Sequence, residues 1–313
     1  MTDYKTLLDA ETWAFIERTN SFYPPETIDY PMARQREVYD RLCRAFHAGY
    51  PEGVTAADSS IATQTHPIPI RTYRTPAPDV AAKILYLHGG GFTLGGLESH
   101  DDICAELCAR TGFEVTAVDY RLAPEHLHPA AFEDAFSAFE WAAAADARPI
   151  LLIGDSAGGN LAAAVAHVSR GHVRAPVGQV LIYPGLGGDI AKGSYVTHAD
   201  APMLTMRDLV FYKDTRTGGA DFSTDVRYLP LADTVFSGLP PAVAITAECD
   251  PLSSDGEAYR DRILAAGGKA YWIEEKGLVH GYLRGRHTIG RARDSFSRIV
   301  DAANALGRGE WPY

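Results

Sequence analysis

The run Pro149-Ile150-Leu151-Leu152-Ile153-Gly154-Asp155-Ser156-Ala157-Gly158 decides how the rest of the chain is read. Its apolar start is a strand, and Gly159-Asn160-Leu161-Ala162-Ala163-Ala164-Val165 behind it carries a small-residue helical pattern. A serine therefore sits at the apex of a very tight strand-to-helix turn. Such a turn forces the serine into a strained backbone conformation and tolerates no Cβ two residues to either side. Gly154 and Gly158 supply that clearance. The strain lifts the hydroxyl clear of the sheet, where a base can reach it from one side and a substrate from the other.

Working outward, strands and helices alternate. Ile68, Ile70 and Thr72 alternate as a half-buried strand does, and Ala82 to Leu87 is a continuous apolar run suited to a central strand. A helix from about Asp101 opens with the box Ser99-x-x-Asp102 and stops at Gly112. The strand Glu114 to Val118 follows, then a helix opening at Pro129 with Phe132, Phe136 and Phe139 on one face. Beyond the serine turn come strands at Val180-Tyr183, Ala242-Thr246 and Lys269-Ile273. The last two flank a helix with the box Ser254-x-x-Glu257, and a terminal helix starts near Thr288. This alternation predicts an α/β fold, a mostly parallel central sheet with helices on both faces.

Two stretches lie outside the alternation. Residues 1–55 read as helical, with Trp13, Phe15, Ile16, Tyr39, Leu42 and Phe46 as core candidates and breaks at Pro24-Pro25 and Pro51. Residues 187–238 are polar and rich in Gly, Asp and Thr, with one helix-like piece from Met206 to Lys213. That is too long for an ordinary loop, so it is a lid-like insertion or a mobile region. The expected core is 56–186 with 239–313.

At 313 residues the chain can bury one large core. A net charge of -11 argues against nucleic acid or an anionic membrane as the main partner. Cys43, Cys104, Cys108 and Cys249 are few and irregularly placed, which fits structural thiols in a reducing compartment. Cys104 and Cys108 have no further Cys or His pair nearby to complete a zinc site. Met1-Thr2-Asp3-Tyr4-Lys5 lacks the basic start and apolar core of a signal peptide, and no apolar run approaches membrane-span length. The expectation is a cytoplasmic protein without cofactor or metal, acting on a small molecule; a homodimer is left open.

A serine hydroxyl needs a base, and the base needs a third group to fix its tautomer. In an α/β sheet these belong at the carboxyl ends of strands. Asp250, just past strand 242–246, is favoured over Glu248 and over Asp255, whose place in a first helical turn is explained by the helix dipole. His280 lies in the last strand-to-helix connection, beside Gly281, which permits a tight bend. The order Ser156, Asp250, His280 is that of α/β-hydrolase triads. At the end of strand 82–87, His88-Gly89-Gly90-Gly91-Phe92 lets backbone amides approach a developing oxyanion, and Ala157 offers another. His88 is expected to anchor this loop by hydrogen bonding.

These motifs, with Tyr120-Arg121-Leu122-Ala123-Pro124-Glu125-His126 and Asp250-Pro251-Leu252, resemble the hormone-sensitive-lipase family of α/β hydrolases from about residue 40 onward. Tyr86 to Gly95 followed by His100-Asp101 is especially similar to bacterial acetyl esterases. The resemblance implies Ser156 as nucleophile, His280 as base and Asp250 as its orienter. It also implies an oxyanion hole from Ala157 and two of Gly89, Gly90 and Gly91, and a helical cap formed by residues 1–55 and 187–238. The implied activity is hydrolysis of small, short-chain acyl esters through an acyl-enzyme. An amidase, a formamidase or a deacetylase of small metabolites would use the same machinery. A non-catalytic ligand receptor of this fold is disfavoured because the base is present, and a true lipase because no long apolar lid is seen. Phe92, Tyr183, Phe211 and Tyr212 are acyl-pocket candidates. Three departures stand out: Ser253-Ser254-Asp255 where the family has Arg-Asp-Glu, Tyr282 for Phe, and Leu127-His128 for Pro-Phe.

Overall fold

The computed structural model describes residues 2–313; Met1 lies outside it. Three helices lead the chain: α1 (Tyr4–Leu7), α2 (Ala10–Phe22) and α3 (Met32–Phe46). Asp3 and Asp9 begin the first two by accepting from the Lys5 and Thr12 amides, which have no partner inside the helix. On α3, Gln35, Val38, Tyr39, Leu42 and Cys43 are buried at helical spacing, which gives the helix one packed face.

Next come β1 (Thr55–Ala62), β2 (Pro67–Arg74), β3 (Lys83–Leu87), α4 (Asp101–Thr111), β4 (Glu114–Val118), α5 (Ala130–Ala145), β5 (Ile150–Asp155), α6 (Ala157–Val168) and β6 (Gly178–Ile182). The chain continues through α7 (Ser194–Thr197), α8 (Met206–Thr217), β7 (Ala242–Cys249), α9 (Ser253–Ala265), β8 (Ala270–Val279) and α10 (Gly290–Gly307). The strands form one sheet in the order β1-β2-β4-β3-β5-β6-β7-β8. β1 and β2 pair antiparallel, as do β2 and β4, and every other neighbouring pair is parallel. The expected mostly parallel α/β sheet is what the chain forms. All side chains of β3, β5 and β6 are buried, because helices cover both faces. α4 and α10 pack Cys104, Phe296 and Ile299 on one face, and α5, α6 and α9 pack Phe139, Leu161 and Ile263 on the other.

Several local expectations change. β1 was not anticipated; it is an edge strand whose side chains are mostly exposed, so it carries no apolar alternation. Ser99 does not cap α4. His100 is the cap residue, and Ser99 Oγ instead accepts from the Gly96 amide within a short turn. Ser254 does not cap α9, which already begins at Ser253; its Oγ accepts from the Ser194 amide at the start of α7. In both places a nearer or tertiary partner outcompetes the local box.

β5, β7 and β8 also run further than their apolar runs suggest, to Asp155, Cys249 and Val279, since ladder pairing continues through polar residues. Ser156, Asp250 and His280 consequently follow their strands directly. The register of Leu87 opposite Gly154 sets the glycine loop beside the serine turn.

Candidate active site

Ser156 has φ 52° and ψ −116°, a conformation that L-residues avoid. Its amide donates to the Ile182 carbonyl at 2.8 Å, and its carbonyl accepts from the Asn160 amide at 3.0 Å, so the turn is clamped on both sides. A Cβ at Gly154 would run into the backbone of Gly158 and Gly159, and one at Gly158 into the carbonyls of Leu87 and His88. The two glycines are required by close backbone approach, as the sequence pattern implied.

Three distant stretches meet at this turn. His280 Nε2 lies 2.9 Å from Ser156 Oγ, and His280 Nδ1 lies 2.6 Å from Asp250 Oδ2. A carboxylate only accepts, so Nδ1 carries the proton and Nε2 is left as the acceptor for the serine hydroxyl. Asp250 is fully buried, and its other oxygen accepts from the Leu252 amide at 2.9 Å. The rival acids are engaged elsewhere. Glu248 accepts from Lys276 and from the Gly277 amide. Asp255 takes the amides of Leu186 and Gly187 and the Tyr195 hydroxyl, so it does more than answer a helix dipole. Burial outweighs these donors and pushes its carboxyl up to about 6.

The glycine loop is held from below by Asp155, a residue quoted in the motif but given no role by sequence. Its Oδ1 accepts from the Gly89 amide at 2.9 Å and from the Tyr86 hydroxyl at 2.9 Å, and its Oδ2 lies 3.2 Å from His100 Nε2. Burial alone would raise this carboxyl; the His100 ring and the donors around it hold it well below the usual carboxylate range. His88 lies with Nδ1 2.8 Å from the Gly89 oxygen, stacked on Tyr120, whose hydroxyl donates to the His88 carbonyl at 2.7 Å. Burial pushes the His88 imidazole down to about 4, so it is neutral. The Gly89 amide is committed to Asp155, while Gly90 and Gly91 line the cavity together with Ala157, the first residue of α6.

That cavity encloses about 610 Å³, within the range of small-molecule sites. Ser156 and His280 form its floor, Thr19, Tyr23 and Tyr39 reach it from α2, α3 and the turn between them, and Leu209, Tyr212 and Arg216 from α8. Of the proposed pocket aromatics, Phe92, Tyr183 and Tyr212 line it. Phe211 does not, since its neighbour on the helix takes the inward position. Tyr183, itself at positive φ, sets its ring 4.7 Å from that of His280.

The departures find partners too. Tyr282 bonds Ser295 at 2.6 Å, and His128 lies 3.2 Å from Asp225, joining the start of α5 to the 187–238 segment. Asn160 and Arg216 were missed. Both are polar positions inside helices, and only their tertiary neighbours mark them. Asn160 Nδ2 ties α6 to the carbonyls of Gly185 and Tyr228. Among the described residues no group of three His, Cys, Asp or Glu side chains is placed to hold a metal ion, and no helix is long and apolar enough to cross a membrane.

A family described as the alpha/beta hydrolase fold matches residues 84–284. The chain is 36% identical to ethyl acetate hydrolase of Pseudomonas putida over 292 residues, covering 89% of this chain and 91% of that protein. It is 37% identical over 255 residues to carboxylesterase NlhH of Mycobacterium tuberculosis, covering 77% and 76% respectively. Among solved structures, a hyperthermophilic esterase of the archaeon Pyrobaculum calidifontis superposes with a TM-score of 0.89 at 30% identity, covering 96% of this chain and 99% of that one.

Proposed function

This chain belongs to the α/β-hydrolase fold family, in its hormone-sensitive-lipase and acetyl-esterase branch, and is a carboxylesterase; we propose that it hydrolyses short-chain acyl esters by a Ser156-His280-Asp250 acyl-enzyme mechanism. The observation that carries this reading is the unbroken relay of 2.9 Å and 2.6 Å from hydroxyl to imidazole to buried carboxylate, at the floor of the cavity.

Ser156 Oγ attacks the ester carbonyl carbon while its proton passes to His280 Nε2. Asp250 holds the Nδ1 proton and stabilises the imidazolium that forms. Negative charge gathers on the carbonyl oxygen, and the amides of Gly90, Gly91 and Ala157 are its donors, Gly89 being spent on Asp155. The C–O bond to the alcohol breaks as the alcohol takes the proton from Nε2. Water then adds to the acyl-enzyme, giving its proton to His280, and the acid leaves as Ser156 recovers its hydrogen. Residues 1–55 and 187–238 act as a cap over this chemistry, supplying the wall opposite the sheet.

The short-chain preference draws support from relatives named for ethyl acetate and acetyl esters, and from the aromatic wall formed by Tyr23, Tyr39 and Tyr212. Turnover of p-nitrophenyl acetate, butyrate, hexanoate and decanoate is the test. The expected kcat/KM is greatest at the short end, and Ser156→Ala should lose about four orders of magnitude or more. Rates that climb steadily to decanoate would overturn the chain-length claim, and an active, folded Ser156→Ala would overturn the mechanism.

A further inference from the structure

Arg216, near the end of α8, is a guanidinium in an unusual position. It lines the catalytic cavity at 5% exposure and makes no ion pair with any described residue. Its Nε has no partner, and its two bonds are long: Nη1 to the Tyr228 carbonyl at 3.5 Å and Nη2 to Asn160 Oδ1 at 3.4 Å. It is kept in place by rings, with Cζ 3.4 Å from the Phe92 centroid and 4.4 Å from that of Tyr228.

The nearby acids are not its partners. Asp225 is taken by Arg227 at 2.7 Å and His128 at 3.2 Å, and Asp214 and Asp221 line the cavity without pairing with it. Burial pushes the guanidinium down to about 9, which leaves it charged at neutral pH. Arg284, the second guanidinium on the wall, is bound by the Tyr39 hydroxyl and Cys43 Sγ and likewise makes no ion pair among the described residues.

A buried arginine is ordinarily paired, because an unpaired buried charge is costly. Its planar fork is matched to a carboxylate's two oxygens. Resting on the serine-esterase reading above, we propose that Arg216 is an anion-binding residue, and that the preferred substrates are short esters bearing a carboxylate. The position limits the size of the substrate. Phe92 directly follows the glycine loop and Asn160 lies one helical turn beyond Ser156, so a carboxylate seated on Arg216 is only a few bonds from the reacting carbonyl. Both halves of the ester can supply the anion: the acyl half, as in half-esters of short dicarboxylic acids, or the alcohol half, as in O-acylated hydroxy acids. The chemistry is the same in either case: Ser156 displaces the alcohol from the acyl carbon, His280 returns the proton to that alcohol, and water then releases the acid from Ser156.

The test compares kcat/KM for each anionic ester with that for its neutral isostere, in which an isopropyl group replaces the carboxylate: monomethyl succinate against methyl 4-methylpentanoate for the acyl half, and acetoxyacetate against isobutyl acetate for the alcohol half. In the wild type at least one anionic ester should run at no less than about one tenth of its isostere. In Arg216→Met that ratio should fall by about a hundredfold, with Arg216→Lys in between. A role confined to packing would lower both rates and leave the ratio where it was, which overturns the proposal, as does a wild type below the one-tenth mark on both pairs. Should Arg216→Met fail to label with a fluorophosphonate, the wild-type ratio and its response to Arg216→Lys decide. Failure to turn over any ester, neutral ones included, would instead strike the serine-esterase reading itself.

Discussion

On the sheet side of the cavity, backbone meets backbone. Gly154 and Gly158 abut carbonyls that cannot move, Ser156 is clamped by two main-chain bonds, and Gly89 is pinned by a buried carboxylate. On the opposite side, α3, α8 and the turn after α2 present side chains: Tyr39, Tyr212, Arg216 and Tyr23. Atoms on the first side are fixed by covalent geometry and sheet register, whereas those on the second are fixed by rotamers and ring packing. The first arrangement suits a reaction whose donors must not drift, since preorganised amides act without rearranging as charge develops. The second suits selection among substrates, because one side chain can change there without disturbing its neighbours' backbone.

The hardest blow to the sheet side is one added methyl group. Gly158→Ala would drive a Cβ into the Leu87 and His88 carbonyls, and neither can retreat without moving β3 or the glycine loop. Ester hydrolysis should fall by about a thousandfold, in the range seen when oxyanion donors are lost. Thermal unfolding should also shift downward, by the equivalent of about 1–3 kcal/mol for overpacking. A variant that melts and turns over like the wild type would mean that the turn is as adaptable as the wall.

Asp255 stands on the seam between the two sides, a core-helix carboxylate holding the backbone at 186–187 where the polar segment leaves the sheet. Burial raises its carboxyl to about 6, above the ordinary aspartate value of about 3.9 that the unfolded chain has. The native state therefore holds this proton more firmly than the unfolded state does. The associated stability is full below about pH 4, declines as pH rises, and is gone above about pH 6. Asp255→Asn, which cannot ionise, should gain on the wild type across that window by about 1–3 kcal/mol in urea unfolding. A difference that stays constant from acid to neutral pH would show that the seam is held without regard to this charge.

The same division explains what could be read from the sequence. The alternation of apolar strands and small-residue helices and the turn around Ser156 are local patterns that backbone sterics impose, so they were legible; Asp250 and His280 were found because that alternation marks the strand ends they follow. Asp255's anchoring role, the partner Ser194 for Ser254, and the inward place of Arg216 depend on what a distant segment brings opposite. No spacing rule encodes that. The edge strand β1 was hidden for a related reason: strands are found by their buried face, and β1 buries little beyond Ile61.

The wall side is tested most gently at Tyr212, whose ring lies against Gly91 so closely that a Cβ there would enter it. The ring lines the cavity over Gly91, and on the acyl-enzyme reading proposed above it borders the acyl chain carried by Ser156. Tyr212→Leu removes part of that closure while keeping an apolar side chain on α8. The ratio of kcat/KM for hexanoate over acetate esters should rise about three- to tenfold, the scale on which a few methylenes are discriminated in an apolar pocket. The melting temperature should move by no more than about 1 kcal/mol implies, because the half-buried ring is replaced by another apolar group. If acetate and hexanoate rates fell together, Tyr212 would be steadying the amides of the glycine loop through Gly91, and the wall would share in the chemistry that the sheet side otherwise carries alone.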